Sequence, residues 1–117
     1  MSTSMERVKA AFKRTFADAV PAYPILGSFT AKLVGRSIRE YLTDPRVFAD
    51  AQARAYEMFD PDIVVMMADL LMEAEAMGTG VAFPEDSLCQ ITSHVLEDKG
   101  KLQSLSVPDP RRDGRMR

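Results

Sequence analysis

Residues 60–78, Asp-Pro-Asp-Ile-Val-Val-Met-Met-Ala-Asp-Leu-Leu-Met-Glu-Ala-Glu-Ala-Met-Gly, constrain the fold more than any other stretch of this chain. Residues 63–68 are an unbroken apolar run led by β-branched side chains, the composition of a strand buried on both faces of a parallel sheet rather than of a half-wetted antiparallel one. Such a strand requires helices on its flanks. Asp69 follows at once, residues 70–77 are strong helix formers, and Gly78 is placed as a C-terminal stop. The unit reads strand, aspartate, helix. In parallel α/β folds the functional groups gather where strands end and helices begin, and Asp69 stands at that junction. Spacing alone leaves two readings of it: a cap that accepts backbone N–H bonds from the following helix, or a ligand-binding or catalytic group.

The rest of the chain supplies the flanks. Thr3-x-x-Glu6 has capping-box spacing, and Met5, Val8, Phe12 and Phe16 recur near the helical period, which predicts a first amphipathic helix. Residues 20–27, Val-Pro-Ala-Tyr-Pro-Ile-Leu-Gly, are extended, because Pro21 and Pro24 bias their predecessors away from the α region. They are expected to form a short strand with its prolines at the ends or on an edge. Gly27 and Ser28 then turn the chain into a short helical piece around residues 30–34, and Ser37-x-x-Glu40 repeats the capping box. Asp44-Pro45 places an N-cap ahead of a proline at the first helical position. From there Val47, Phe48, Ala51, Ala55, Met58 and Phe59 form one apolar stripe, with Arg46, Asp50, Gln52, Arg54 and Glu57 expected in water. This helix is expected to pack on the central strand.

Beyond Gly78, residues 79–84 read as a brief strand stopped by Pro84, and residues 88–95 as a loop or a second short strand. Asp98 caps a last short helix carrying Leu102 and Leu105, weakened at Gly100 by ~1 kcal/mol relative to alanine. Together these elements predict an α/β fold, mostly helical, with two or three short parallel strands. A closed (β/α)8 barrel normally takes ~250 residues, so the 117 residues here match only the start of one.

Composition narrows the function classes. With 46% hydrophobic residues the chain can form a modest core. A net charge of -2 gives no electrostatic ground for nucleic-acid binding. One cysteine, Cys89, rules out an internal disulfide and fits a reducing compartment. No apolar run approaches the ~20 residues of a membrane span, and the N-terminus lacks the build of a secretion signal. The chain is expected to be cytoplasmic.

Several blocks in order carry a resemblance: Val20-Pro-Ala-Tyr-Pro-Ile-Leu-Gly27, Asp44-Pro45 opening a long helix, the block from Asp62 through Asp69 to Gly78, Val81-Ala-Phe-Pro84, and Lys101-Leu102 ahead of Pro108-Asp-Pro. The chain resembles the uroporphyrinogen decarboxylase superfamily over nearly its whole length, with the block around Asp69 the most specific part. The resemblance implies the N-terminal part of a (β/α)8 TIM-type barrel over residues 1–107, followed by a basic flexible tail at 108–117. The superfamily holds cofactor-free decarboxylases of tetrapyrrole biosynthesis and cobamide-dependent methyltransferases that pass a methyl group between a corrinoid protein and a thiol such as coenzyme M. The decarboxylases carry an arginine-containing signature after the first strand, whereas Pro24-Ile-Leu-Gly-Ser-Phe-Thr-Ala-Lys-Leu has no arginine before Arg36. The block around Asp69 and the Tyr-Pro-Ile-Leu-Gly-Ser stretch resemble the methyltransferase branch. Zinc and a corrinoid are implied for a full-length relative, with the zinc ligands in later barrel strands; this segment alone is expected to bind no cofactor and to be inactive.

By the same resemblance Asp69 matches the aspartate that binds the substrate's pyrrole N–H groups, and Gly27 and Ser28 line the same mouth. Each other notable residue has an ordinary explanation. Cys89 and His94 are too few to hold zinc, so Cys89 is expected to be half-buried and His94 on the surface. Met66, Met67, Met72 and Met77 are core fillers. Glu73 and Glu75 cannot share a helix face, and Tyr23 is packing. Arg111, Arg112, Arg115 and Arg117 are expected in a solvated tail. A tetrapyrrole or corrinoid is the ligand class implied. An open parallel sheet this small is expected to self-associate or to pair with a complementing chain.

Overall fold

Local capping decides where the first three α-helices of this chain begin. A computed structural model describes residues 1–116. Helix α1 (Ser4–Phe12) begins at the reciprocal capping box of Thr3 and Glu6, and α2 (Ile38–Thr43) at that of Ser37 and Glu40. In each box the glutamate accepts the cap residue's N–H, which holds its carboxyl below the usual range. Helix α3 (Pro45–Phe59) starts where the Asp44 side chain accepts the Arg46 N–H, with proline at the first position. Between α1 and α2 lies a 3-10 helix, Gly27–Val34. Helix α4 (Met72–Ala76) is followed by Gly78 at φ +105, a conformation that side chains with a Cβ rarely adopt. Strands β1 (Gly80–Ala82) and β2 (Gln90–Ser93) and two further 3-10 helices, Lys99–Ser104 and Gly114–Met116, complete the order. Asp98 accepts the Gly100 N–H at 2.9 Å and so caps the first of these, as its position in sequence predicts.

The core lies where the first 3-10 helix, α2 and α3 meet. Thr30, Ala31, Tyr41, Leu42, Ala51, Gln52 and Ala55 are buried there, with Phe48, Val47, Ile38 and Cys89 half-buried around them. The Tyr41 and Phe48 rings stack tilted, centroids 5.2 Å apart. The apolar stripe on α3 is thus used as far as Ala55, while Met58 and Phe59 stay about half exposed. Gln52 corrects the expectation of a wet side chain. Its Nε2 donates to the Tyr41 hydroxyl at 2.7 Å and to Thr30 Oγ1 at 3.4 Å, and Thr30 Oγ1 donates to the Gly27 carbonyl at 2.9 Å. A buried amide is stable only with such partners.

The parallel strands expected at residues 20–27 and 63–68 are not formed. Among the described residues the only sheet is the antiparallel pair β1–β2, in register Gly80↔Ser93, Val81↔Ile91 and Ala82↔Gln90 with an irregularity after Gly80. The two runs nevertheless lie side by side. Asp62 and Ile63 donate their N–H groups to the Ala22 carbonyl at 3.1 and 3.2 Å, and Pro24 and Leu26 meet Ile63, Val64 and Val65 across a small cavity closed by Gln52 and Tyr56 of α3. From Val64 to Leu70 no backbone N–H reaches a carbonyl among the described residues. Pro21 and Pro24 remove donors from the first run, and among the described residues no further strand arrives beside the second. Extents of 57 × 36 × 22 Å and a radius of gyration of 18.2 Å describe an elongated body, against about 13 Å for a closed domain near this length.

Candidate functional site

Asp69 closes the extended run of residues 62–69, and two later parts of the chain converge on it. Its side chain is only 4% exposed. Oδ1 accepts the Leu71 N–H at 2.6 Å, a turn that mimics a cap just ahead of α4. Oδ2 accepts Arg115 Nη1 at 2.6 Å. Asp69 does not cap α4 itself, whose N-cap is Leu71 with no side-chain bond; its carboxylate instead closes a local turn on Leu71 and is shared with a cation.

Arg115 is held from four directions. Besides Asp69, its Nε donates to Glu75 Oε2 of α4 at 2.6 Å, Nη1 also donates to the Leu42 carbonyl at the end of α2 at 2.8 Å, and the guanidinium carbon lies 4.4 Å from the Phe83 ring centroid. The planar fork satisfies both carboxylates at once, which a lysine ammonium cannot reproduce. Burial disfavours the cation, but the bonds to Asp69 and Glu75 outweigh it and leave the Arg115 pKa above its usual value. Nη2 is buried without a partner among the described residues. Arg115 is therefore docked, where sequence suggested a solvated side chain; Arg111 and Arg112 are exposed, and Arg117 lies outside the described residues. Nothing in the spacing marks Arg115 among its basic neighbours.

A cleft of about 600 Å³ opens beside this cluster, walled by Tyr41, Leu42, Phe48, Met66, Ala68, Met72 and Arg115, with Asp44 at its edge. Its size is that of a small-molecule site. The Tyr41 hydroxyl donates to the Met67 carbonyl at 3.0 Å and so ties the helical core to the run that ends at Asp69. Gly27 and Ser28 are half-buried at the start of the first 3-10 helix, and neither lines the cleft. The Gly27 carbonyl is linked toward it by a relay through Thr30, Gln52 and Tyr41 to Met67. Glu73 is exposed and Glu75 turns inward, on different faces of α4.

At the other end of the same run Asp62 has a matching clamp. Its Oδ1 accepts Arg7 Nη1 at 3.2 Å, and Oδ2 accepts the Ala22 N–H at 2.8 Å. Arg7 also grips Asp18 with two nitrogens, at 2.9 and 3.2 Å. The Ala22 N–H, foremost, holds the Asp62 carboxyl below the usual range, and the Arg7 fork does the same for Asp18. These contacts pin α1 to the run.

Cys89 is half-buried, and burial, reinforced by the Asp69 carboxylate, pushes its thiol pKa up, so it is a poor thiolate. His94 is exposed. Among the described residues no three His, Cys, Asp or Glu side chains are grouped to hold a metal ion, and no helix is long and apolar enough to cross a membrane.

No curated protein and no solved structure matches the chain. Residues 3–117 match the profile of uroporphyrinogen decarboxylase (URO-D). The match includes the Asp69 run, the cleft walls and the turn that carries Arg115, so the chain belongs to the uroporphyrinogen decarboxylase superfamily, whose fold is the TIM-type barrel.

Proposed function

We propose that the chain forms the first part of a corrinoid:thiol methyltransferase-type member of this superfamily, with Asp69 as its substrate-binding residue and Gly27 and Ser28 near the mouth. The observation that carries this reading is the absence of arginine from Pro24 to Leu33. A decarboxylase must hold several substrate carboxylates, work suited to guanidinium forks. The first arginine after that stretch, Arg36, is spent on the surface in a pair with Glu40 at 3.0 Å. The cleft beside Asp69 offers instead Tyr41, Phe48, Met66 and Met72, side chains suited to the apolar face of a macrocycle.

A corrinoid would supply the methyl group, and zinc would activate the acceptor thiol. The residues of this chain do not fit zinc, since Cys89 is half-buried with a raised pKa and His94 is exposed elsewhere. What the chain contributes is ligand contact and orientation, through Asp69 and the cleft.

Titrating the chain with hydroxocobalamin and, separately, with uroporphyrin, each followed by visible absorbance, tests the reading. Corrinoid binding that Asp69→Asn weakens about tenfold supports it. Binding of uroporphyrin in place of the corrinoid transfers the assignment to a decarboxylase of tetrapyrrole biosynthesis, and binding of neither leaves a module that only completes a barrel.

Self-association or pairing with a complementing chain belongs to the same proposal. The accessible surface is 8450 Å², against about 6,300 Å² for a compact monomer of this mass. The excess is more than twice the ~800 Å² that each partner buries in a standard interface. Sedimentation at high concentration is expected to give a dimer or larger species, and a compact monomer overturns this part.

A further inference from the structure

The Arg115 niche has the make-up of a receptor. Two carboxylates, Asp69 and Glu75, a backbone carbonyl, Leu42, and an aromatic face, Phe83, come from four separate parts of the chain and meet around one planar cation. The carboxylates outnumber the cation, so the emptied niche carries net negative charge. Its shape and charge select a flat group with several N–H donors.

The occupant fits imperfectly. Nη2 is buried with no partner among the described residues, and an unmet buried donor weakens the hold of the whole side chain. The segment just before Arg115 is lightly attached. Residues 109–112 are exposed, and Asp109, Arg111, Arg112 and Asp113 bond mainly among themselves. The Gly114–Met116 turn rests on α4, where a Cβ at Gly114 would come 3.1 Å from that of Ala76. Gly114 and Arg115 also form part of the cleft wall, so withdrawal of this turn would open the niche directly onto the cleft.

We propose that Asp69, Glu75, the Leu42 carbonyl and Phe83 form a binding site for planar N–H donor groups of the guanidinium class, and that Arg115 fills it in cis as a removable latch. The latch blocks Asp69 until a competing donor group displaces it. This rests on the reading of Asp69 as a ligand-binding residue and adds how access to it is controlled.

The test uses the full chain and ethylguanidinium at millimolar concentrations as the probe. In Arg115→Gly, the probe is expected to shift the backbone amide resonances of residues 69–76 and 83 saturably and to raise the midpoint of thermal unfolding. The wild type is expected to respond at least tenfold more weakly, and Arg115→Gly combined with Asp69→Asn not at all. Should Arg115→Gly fail to fold, Arg115→Lys serves, since it keeps the charge and loses the fork; it is expected to yield to the probe at lower concentration than the wild type. The absence of a saturable response in a folded variant, or an equal response in the wild type, overturns the inference. That failure is separable from failure of the ligand reading: if Asp69→Asn leaves hydroxocobalamin and uroporphyrin binding unchanged while the guanidinium response stands, Asp69 loses its proposed substrate role and the niche remains a guanidinium site.

Discussion

The helical layer over residues 27–59 and the stretch from residue 60 onward share one chain and similar apolarity, yet they settle differently. The first holds seven of the buried residues, Thr30, Ala31, Tyr41, Leu42, Ala51, Gln52 and Ala55; the second contributes Pro61 and Thr79. A helix closes its own backbone hydrogen bonds within four residues, so capped segments fold as soon as one face finds cover. An extended run must find its bonds on other strands. Residues 63–68 have the stronger strand composition but only a start of pairing, at Ala22. Two arginines compensate at the ends of that run, Arg7 at Asp62 and Arg115 at Asp69. Side-chain ion pairs here hold in place what a ladder would otherwise hold.

The contrast can be broken most strongly at Tyr41, the side chain that joins both regions. Tyr41→Ala is expected to lower unfolding free energy by about 3–5 kcal/mol, the cost of truncating a buried aromatic, as measured by urea denaturation. Tyr41→Phe isolates the joint itself: the Gln52 amide and the Met67 carbonyl lose their shared partner, for about 1–3 kcal/mol. A loss below about 0.5 kcal/mol shows that the two regions are not coupled through this hydroxyl.

Asp69→Asn removes the charge facing Arg115 while keeping the shape, and about 2 kcal/mol is expected from the cation left with Glu75 alone. The loss should appear first as faster amide exchange in α4. Uniform loss across α2 and α3 instead contradicts a local clamp. Asp44→Ala, which touches only the start of α3, is expected to cost about 1 kcal/mol, seen as a lower thermal midpoint with the amides of residues 62–69 unaffected.

Acidification sharpens the contrast with the smallest and most local effect. The Asp62 and Asp18 carboxyls lie below their ordinary range in the folded chain. A depressed folded pKa stabilises above the unfolded value of ~4 and loses that contribution as pH falls through the folded one. Between pH 8 and 6 these groups therefore contribute no change. Lowering the pH from 5 toward 2 is expected to free Asp62 from Arg7 of α1 and from the Ala22 N–H, read as loss of exchange protection at Ile63, which donates to the Ala22 carbonyl, and Asp62→Asn should flatten that dependence.

The legible parts of the fold share one property, a short range of action. Thr3 with Glu6, Ser37 with Glu40, Asp44 with Pro45, and Asp98 with Gly100 each act over three residues or fewer, and each element they predict is present. The bond from Asp69 to Leu71 belongs to the same class. Gln52 was misread because a period locates a face without saying whether a polar residue at its edge has buried partners; Thr30 and Tyr41 lie 22 and 11 residues away.

Sequence by itself therefore determined which segments are helical, where the capped ones begin, and the superfamily, because caps, periods and motifs are written in neighbouring residues; it ran the first helix on to Phe16 and the one after Asp69 over 70–77, where the structure ends them at Phe12 and keeps only Met72–Ala76. Tertiary structure alone decided that residues 63–68 stay unladdered, that Gln52 is buried, and that Arg115 reaches Asp69 from 46 positions away. A hydrogen-bond ladder and a buried ion pair depend on which distant groups arrive at one place, and no local pattern encodes that arrival.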